Sequence, residues 1–241
     1  MDARSLPRRV LAVGAHPDDL EILCAGTMAR YAKAGCHVTL CNATRGDRGS
    51  GSLSMAEIAA VRDEEARRSA ALMGATYKCL GFTDGQLADG DPETKSRFID
   101  LIRETTPDVV FTHHPDDYHS DHVATSKLVF EATFVASVPL FETSLPANDR
   151  ILPVFYMDTL AGIRFHPDEY VDISETFELK KEMLACHRSQ VVWMRDHDNL
   201  DILDFMETMS KFRGIQCGAA YAEGFQPARA WLRQGAARLL P

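Results

Sequence analysis

The chain has 241 residues, 45% hydrophobic and 25% charged, with a formal net charge of -9, a soluble globular profile rather than a disordered or fibrous one. The acidic balance argues against a nucleic-acid binder, whose affinity grows with the number of phosphates that Lys and Arg neutralise. No stretch is long and apolar enough to span a bilayer, and the opening MDARSLPRRV carries no signal-peptide h-region, so a cytoplasmic chain with no membrane partner is expected.

Arg9–Ala15 reads as a buried strand, Leu20–Ala34 as a helix closed by Gly35, and His37–Ala43 as a second strand, which together make a βαβ unit. Ser54 and Glu57 form a capping-box pattern opening a helix to Gly74. Thr76–Leu80 is strand-like, Asp91-Pro92 caps a helix to Thr106, and Asp108–Thr112 is a fourth strand. A helix over His119–Ser137 follows, then a Pro-containing connection at Val138–Arg150, strands at Leu152–Thr159 and Tyr170–Ile173, and helices at Ser174–His187 and Leu200–Arg213. Strands alternating with helices imply an α/β fold: a mostly parallel sheet with right-handed crossovers and helices on both faces, in one domain over residues 1–241. In the last helix Ile202, Phe205, Met206, Met209 and Phe212 recur at three- and four-residue spacing, the pattern of a core stripe or of a homo-oligomer contact.

The six cysteines, Cys24, Cys36, Cys41, Cys79, Cys186 and Cys217, include no C-x-x-C pair and read as reduced thiols without assigned chemistry. No G-x-G-x-x-G follows the first strand, which excludes the usual dinucleotide site.

In parallel sheets ligands lie beyond the carboxyl ends of the strands, and strands one and four become neighbours in the doubly wound order. The first exit carries His16-Pro17-Asp18-Asp19 and the second is followed by His119-Ser120-Asp121-His122. Alone, either string reads as a turn and helix cap. Together, at adjacent strand ends, they offer a borderline cation imidazole and carboxylate donors: His16, Asp19 and His122 make the three-ligand set of a catalytic zinc with one open position, Fe²⁺ or another divalent ion being the alternative. Water at such an ion has its pKa lowered towards about 7 and still needs a proton acceptor, a role open to Asp18. His119, one turn before His122, can stabilise an oxyanion or protonate a departing amine, and Asp121 can orient an imidazole.

A rival donor set stands close by in His114-Pro115-Asp116-Asp117, preceded by His113, and spacing does not exclude it. His166-Pro167-Asp168 reads as a turn before a strand. The Gly/Ser-rich loop Thr44–Ser54 has the composition of a lid, with Arg45 favoured over Arg48 as a contact to substrate hydroxyls or an anionic tail. Arg62, within VRDEEARR, has the setting of a solvated helix face, and His187 near a helix end that of an imidazole meeting terminal carbonyls.

At AHPDDLEI (15–22) the sequence resembles the LmbE-like, or PIG-L, family of amino-sugar de-N-acetylases. The match continues at Gly26-Thr27, TRGDRG (44–49), HSDH (119–122), Lys180 to Gln190 and YAEGF (221–225), so it covers most of the chain. The resemblance implies a Rossmann-like fold, His16, Asp19 and His122 as zinc ligands, Asp18 as general base, His119 as the electrophilic group, and Arg45 and Arg62 near substrate hydroxyls. It also favours His119–His122 over His114–Asp117 as the second motif. Cys24 and Ala25 stand where glycine is usual, and Gly85–Asp91, Phe141–Arg150 and Val191–Asp201 match no family pattern. The implied reaction is removal of acetyl from a small N-acetylglucosamine conjugate. Hydrolysis of another amide or ester, or metal or sugar binding without catalysis, is the alternative.

Overall fold

The structure, a computed structural model, describes residues 6–231, Arg233 and Leu240. The first five residues of the expected lead-in to strand one lie outside the described residues. Seven strands form one sheet: β1 Arg9–Gly14, β2 His37–Thr44, β3 Thr76–Phe82, β4 Val109–Thr112, β5 Val154–Met157, β6 Glu169–Asp172 and β7 Ala222–Pro227. The helices are α1 Asp19–Leu23, α2 Ala25–Lys33, α3 Met55–Leu72, α4 Pro92–Thr105, α5 Ser120–Val135, α6 Phe177–Ala185, α7 Arg188–Asp198 and α8 Ile202–Cys217. The sheet order is β3-β2-β1-β4-β5-β7-β6. The first five strands in that order are parallel, while β7 runs antiparallel to both β5 and β6.

Alternation along β1 divides the core. Val10 and Ala12 face a cluster shared with α1, α2, α6 and α8, whereas Leu11 and Val13 face one shared with α4 and α5, because successive side chains of a strand point to opposite faces. Both faces are therefore covered, which explains why the parallel strands read as continuous apolar runs. β1 and β4 are direct neighbours with Val13 paired to Thr112. Their carboxyl ends release the two motif-bearing segments side by side, as the doubly wound order requires.

Local chemistry accounts for the starts of α3 and α4. Both halves of the capping box at Ser54 and Glu57 are formed, and the Asp91 side chain caps α4, whose first position is Pro92. Three sequence expectations need correction. The helix expected over Leu20–Ala34 is two helices broken at Cys24, because the Gly26 and Thr27 N–H groups donate to the Glu223 carboxylate (2.9 and 2.8 Å) and so begin a new helix. Val191–Asp201, unplaced in the sequence, belongs mostly to α7. A seventh strand, β7, sits between β5 and β6. Among the described residues no helix is long and apolar enough to cross a membrane.

Candidate metal centre and active site

The chain turns sharply between β1 and α1, and Asp18 takes the turn with φ at 125°. That region costs a non-glycine residue about 1–3 kcal/mol, and surrounding structure must enforce it. Here the Asp18 carbonyl accepts from Ile22 N–H at 3.1 Å, and Arg62 from α3 reaches across the loop. Arg62 Nη2 donates to the Pro17 carbonyl at 2.5 Å and lies 3.3 Å from Asp18 Oδ1, while Nη1 donates to the Gly46 carbonyl at 3.3 Å. Burial pushes the Asp18 carboxyl up to about 6, against the opposing pull of Arg62.

The Asp19 carboxylate is the hub. It accepts from the His16 backbone N–H at 2.7 Å, and three imidazole nitrogens surround it: His16 Nδ1 at 3.4 Å, His113 Nε2 at 3.1 Å and His122 Nε2 at 3.2 Å. Burial opposes its charge, yet His122 and His113 hold the carboxyl well below the usual range. Burial likewise works against charging His16 and His122. Asp121 and Asp19 outweigh it at His16, lifting the imidazole to about 10, and Asp19 and Asp117 outweigh it at His122, lifting it to about 9.

A buried pocket that favours positive charge this strongly suits a divalent cation, and its imidazole and carboxylate donors match zinc. Two overlapping donor groups have ligand atoms within 4.8 Å of one another: His16, His119 and His122, and Asp19, His113 and His122. Neither group holds all of His16, Asp19 and His122, but Asp19 links them, 3.4 Å from His16 Nδ1 and 3.2 Å from His122 Nε2. His113, named there only beside the rival string, sits fully buried against Asp19. His113 Nε2 also receives the Ala15 N–H at 2.9 Å, and its Nδ1 is buried without a partner. His114 turns away to Gln226, and Asp117 faces His122 Nδ1 at 3.2 Å.

His119 caps α5: its Nδ1 accepts from the Asp121 N–H at 3.2 Å. With that lone pair committed, a neutral ring carries its proton on Nε2. Asp121 Oδ2 lies 3.1 Å from His16 Nε2 and accepts from Gly85 N–H at 2.6 Å, so Asp121 orients His16.

These residues line a cleft of about 490 Å³ with Arg48, Arg62, Asp84, Tyr118, Leu160, Gln190, Trp193 and Met194. Arg48 is in the lining. Arg45 instead bonds Asp47 at 2.8 Å and Thr83 at 3.0 Å and braces the loop from outside.

The solvated-face expectation for Arg62 is overturned, since the side chain is 3% exposed. Its neighbour along the helix, Glu65, accepts from Ser189 N–H and Oγ at 2.9 and 2.6 Å, and Ser69 bonds Glu21 at 2.6 Å. The 62, 65, 69 spacing of one helix face was the available signal. His187, also fully buried, places Nε2 3.2 Å from Glu21 Oε1 rather than meeting helix carbonyls. The loop at 44–54 closes over Arg62: a Cβ at Gly46 would fall 2.4 Å from Arg62 Nε, and one at Gly49 2.7 Å from Nη1. Asp84 ties that loop down by accepting from Gly46 and Arg48 N–H at 3.0 and 3.1 Å.

An α/β sheet with a carboxylate and imidazole centre at its switch point defines a candidate metallohydrolase. The family profile described as PIG-L, GlcNAc-PI de-N-acetylase, matches residues 11–133, and the chain belongs to that family. It is 28% identical over 238 residues to diacetylchitobiose deacetylase from Thermococcus kodakarensis, covering 91% of this chain and 82% of that one. It is 31% identical over 173 residues to 1D-myo-inositol 2-acetamido-2-deoxy-alpha-D-glucopyranoside deacetylase from Streptomyces griseus, covering 59% of this chain and 54% of the relative, about half its length. Among solved structures, N,N′-diacetylchitobiose deacetylase from Pyrococcus horikoshii superposes with a TM-score of 0.80 at 28% identity, covering 92% and 84% of the two chains. The 4-carboxy-2-hydroxymuconate hydratase GalB from Pseudomonas putida KT2440 also reaches 0.80, covering 95% and 100%, but at 23% identity that likeness speaks for the fold alone.

Proposed function

We propose that the chain hydrolyses the N-acetyl amide of a small amino-sugar conjugate of the N-acetylglucosamine type, releasing acetate and a free amine. The observation that carries this reading is the meeting of the 16–19 turn with the 119–122 segment around the Asp19 carboxylate. Family membership and the deacetylase relatives support the same reaction class.

In this reading His16, Asp19 and His122 hold a divalent ion, zinc by the chemistry of the donors. When bound, such an ion polarises an acyl oxygen and acidifies water. Asp18, forced by its backbone to stand apart from Asp19, takes the proton of the attacking water on its carboxylate. Arg62 fixes that carboxylate, and Asp121 fixes His16. His119 presents Nε2–H as a hydrogen-bond donor to the oxygen that gains charge, and Asp18 passes the proton it took from water to the departing amine nitrogen, which restores the carboxylate. Arg48 and Arg62 lie in the wall where sugar hydroxyls would pass, and Arg45 supports the loop that carries Arg48.

Acetate release from N-acetylglucosamine conjugates, alongside turnover of simple esters and metal analysis of the purified chain, tests the proposal. Acetate from the sugars with about one zinc per chain is the expected result. Ester turnover without sugar deacetylation would replace it with the other-acyl reading. A chain that binds metal and sugar but releases nothing would make it a non-catalytic relative.

A further inference from the structure

β3 ends in a tight turn, Thr83 to Gln86, closed by the Gln86 N–H donating to the Thr83 carbonyl at 3.1 Å. Its third residue, Gly85, has φ at 71°, a conformation that glycine takes without strain. The turn stands at the edge of the Gly85–Asp91 segment, which matches no family pattern. Acetyl removal as proposed gives no role to Asp84 or Gly85.

Two buried carboxylates clasp this turn to the 44–54 loop. Asp84 accepts from the loop's Gly46 and Arg48 N–H groups at 3.0 and 3.1 Å, and the loop's Asp47 accepts in return from the Asp84 N–H at 3.0 Å. The other oxygen of Asp47 takes Arg45 Nη2 at 2.8 Å. With Asp47 1% and Asp84 9% exposed, these bonds form with little competition from water. The Arg48 side chain also reaches the turn, since a Cβ at Gly85 would fall 3.4 Å from Arg48 Nη1.

The other side of the turn meets the candidate metal centre. Gly85 N–H donates to Asp121 Oδ2 at 2.6 Å, and the same oxygen lies 3.1 Å from His16 Nε2. Asp84 and Gly85 share one peptide unit, whose planarity fixes the Gly85 N–H relative to Asp84. A shift of Asp84 with the loop therefore moves the donor that holds Asp121, and Asp121 holds the His16 ring. We infer that Asp84 is a positioning residue that couples the Arg48 loop to His16, so that one side chain whose oxygens are both committed to loop amides sets the hold on ion and substrate together. The inference rests on the reading of His16 as a metal ligand in a deacetylase. Such coupling is reciprocal: an ordered loop tightens the ion, and the ion steadies the loop.

Asp84→Asn keeps the size of the side chain but turns an NH2 group toward one of the two loop N–H donors. Zinc affinity, read by competition with a chromogenic chelator, should fall about fivefold. At saturating zinc, KM for N-acetylglucosamine conjugates should rise about fivefold with kcat within about twofold. The decisive arm is the same substitution in an Asp121→Ala chain, where the link to His16 is already cut. There Asp84→Asn should change zinc affinity by less than about twofold. A merely structural clasp would lower zinc affinity equally in both backgrounds, and that result overturns the coupling. So does an unchanged zinc affinity beside a raised KM, which would leave Asp84 as a loop tie only. Gly85→Ala is a second variant that keeps the Asp84 carboxylate but strains the turn and displaces the N–H on Asp121, and it should lower zinc affinity at least as far as Asp84→Asn. A parent chain that binds no zinc would remove the coupling together with the metal centre. If the parent binds zinc but releases no acetate from the sugars, the deacetylase reading fails, and the zinc titrations alone decide the coupling.

Discussion

Two buried cation–carboxylate pairs stand at the starts of consecutive short helices, and they are built to different ends. At α2, Glu223 accepts from the Gly26 and Thr27 N–H groups and from Lys180 Nζ at 2.6 Å. At α1, Asp18 makes no side-chain cap bond, faces Arg62 at 3.3 Å and sits on a backbone with φ at 125°. The first carboxylate has its acceptor capacity filled by protein, which is what stabilises a buried charge. The second keeps acceptor capacity in hand beside a cleft, on a strained residue, as a group that must take and release a proton requires. Saturation by neighbours thus separates a structural ion pair from the pair that the proposed reaction would use.

The largest expected effect breaks the reactive pair. Asp18→Asn keeps shape and loses the proton acceptor of the proposed mechanism, so kcat should fall by about 10²–10⁴-fold, the usual worth of a general base. Bound metal should stay at the parent level, since the substitution leaves His16, Asp19 and His122 untouched. Parent-like turnover in this variant would remove Asp18 from the mechanism, and loss of metal would move it into the ligand set.

The structural pair should fail in the opposite way. Lys180→Met leaves the Glu223 carboxylate buried without its cation, a change that typically costs about 3–5 kcal/mol. For a chain of this length that is a fall in Tm of about 6–20 °C. Thermal denaturation measures it, and kcat of the protein that remains folded should match the parent. A variant that melts normally but turns over slowly would show that the saturated pair also serves the site.

The contrast also marks what a linear reading can recover. Strands β1 to β4 and the helices between them were legible because burial on both faces writes continuous apolar runs, and caps such as Ser54 with Glu57 are local. The two motif strings were legible because parallel topology brings the ends of β1 and β4 together. The break at Cys24 was not, since its cause is a carboxylate 197 residues away from Gly26. Strand β7 carries Gly224 and Pro227, residues that weaken a strand signal, and takes its place only through pairing with β5 and β6. In α7 the apolar residues Val191, Val192, Trp193 and Met194 are contiguous rather than spaced, so no helical stripe shows. Arg62 was hidden by composition: a charge in a charged helix is buried here because it works between a carboxylate and two backbone carbonyls.

A smaller change sharpens the comparison by acting one step away from the reactive pair. Asp121 holds His16 Nε2 at 3.1 Å while accepting from Gly85 N–H, the arrangement in which an outer carboxylate fixes a ligand's ring and tautomer. Asp121→Asn should weaken metal retention by about 10–100-fold, read by competition with a chelator. Unchanged retention would leave Asp121 as a cap and loop tie only.

The smallest effect belongs to a cap outside both pairs and serves as their control. Ser54 accepts from Glu57 N–H at 3.4 Å, and Glu57 accepts from Ser54 N–H at 2.9 Å, at the exposed start of α3. Ser54→Ala removes one half of this box and should lower Tm by about 2–4 °C. Its reach into the site is the informative part. α3 also carries Arg62, two turns further on, and Arg62 is anchored by Asp18, Pro17 and Gly46 rather than by the first turn of its own helix. Fraying at Ser54 should therefore leave kcat unchanged. A drop in kcat that tracks the loss in Tm would mean that the start of α3, and not the loop contacts, sets the position of the guanidinium over Asp18.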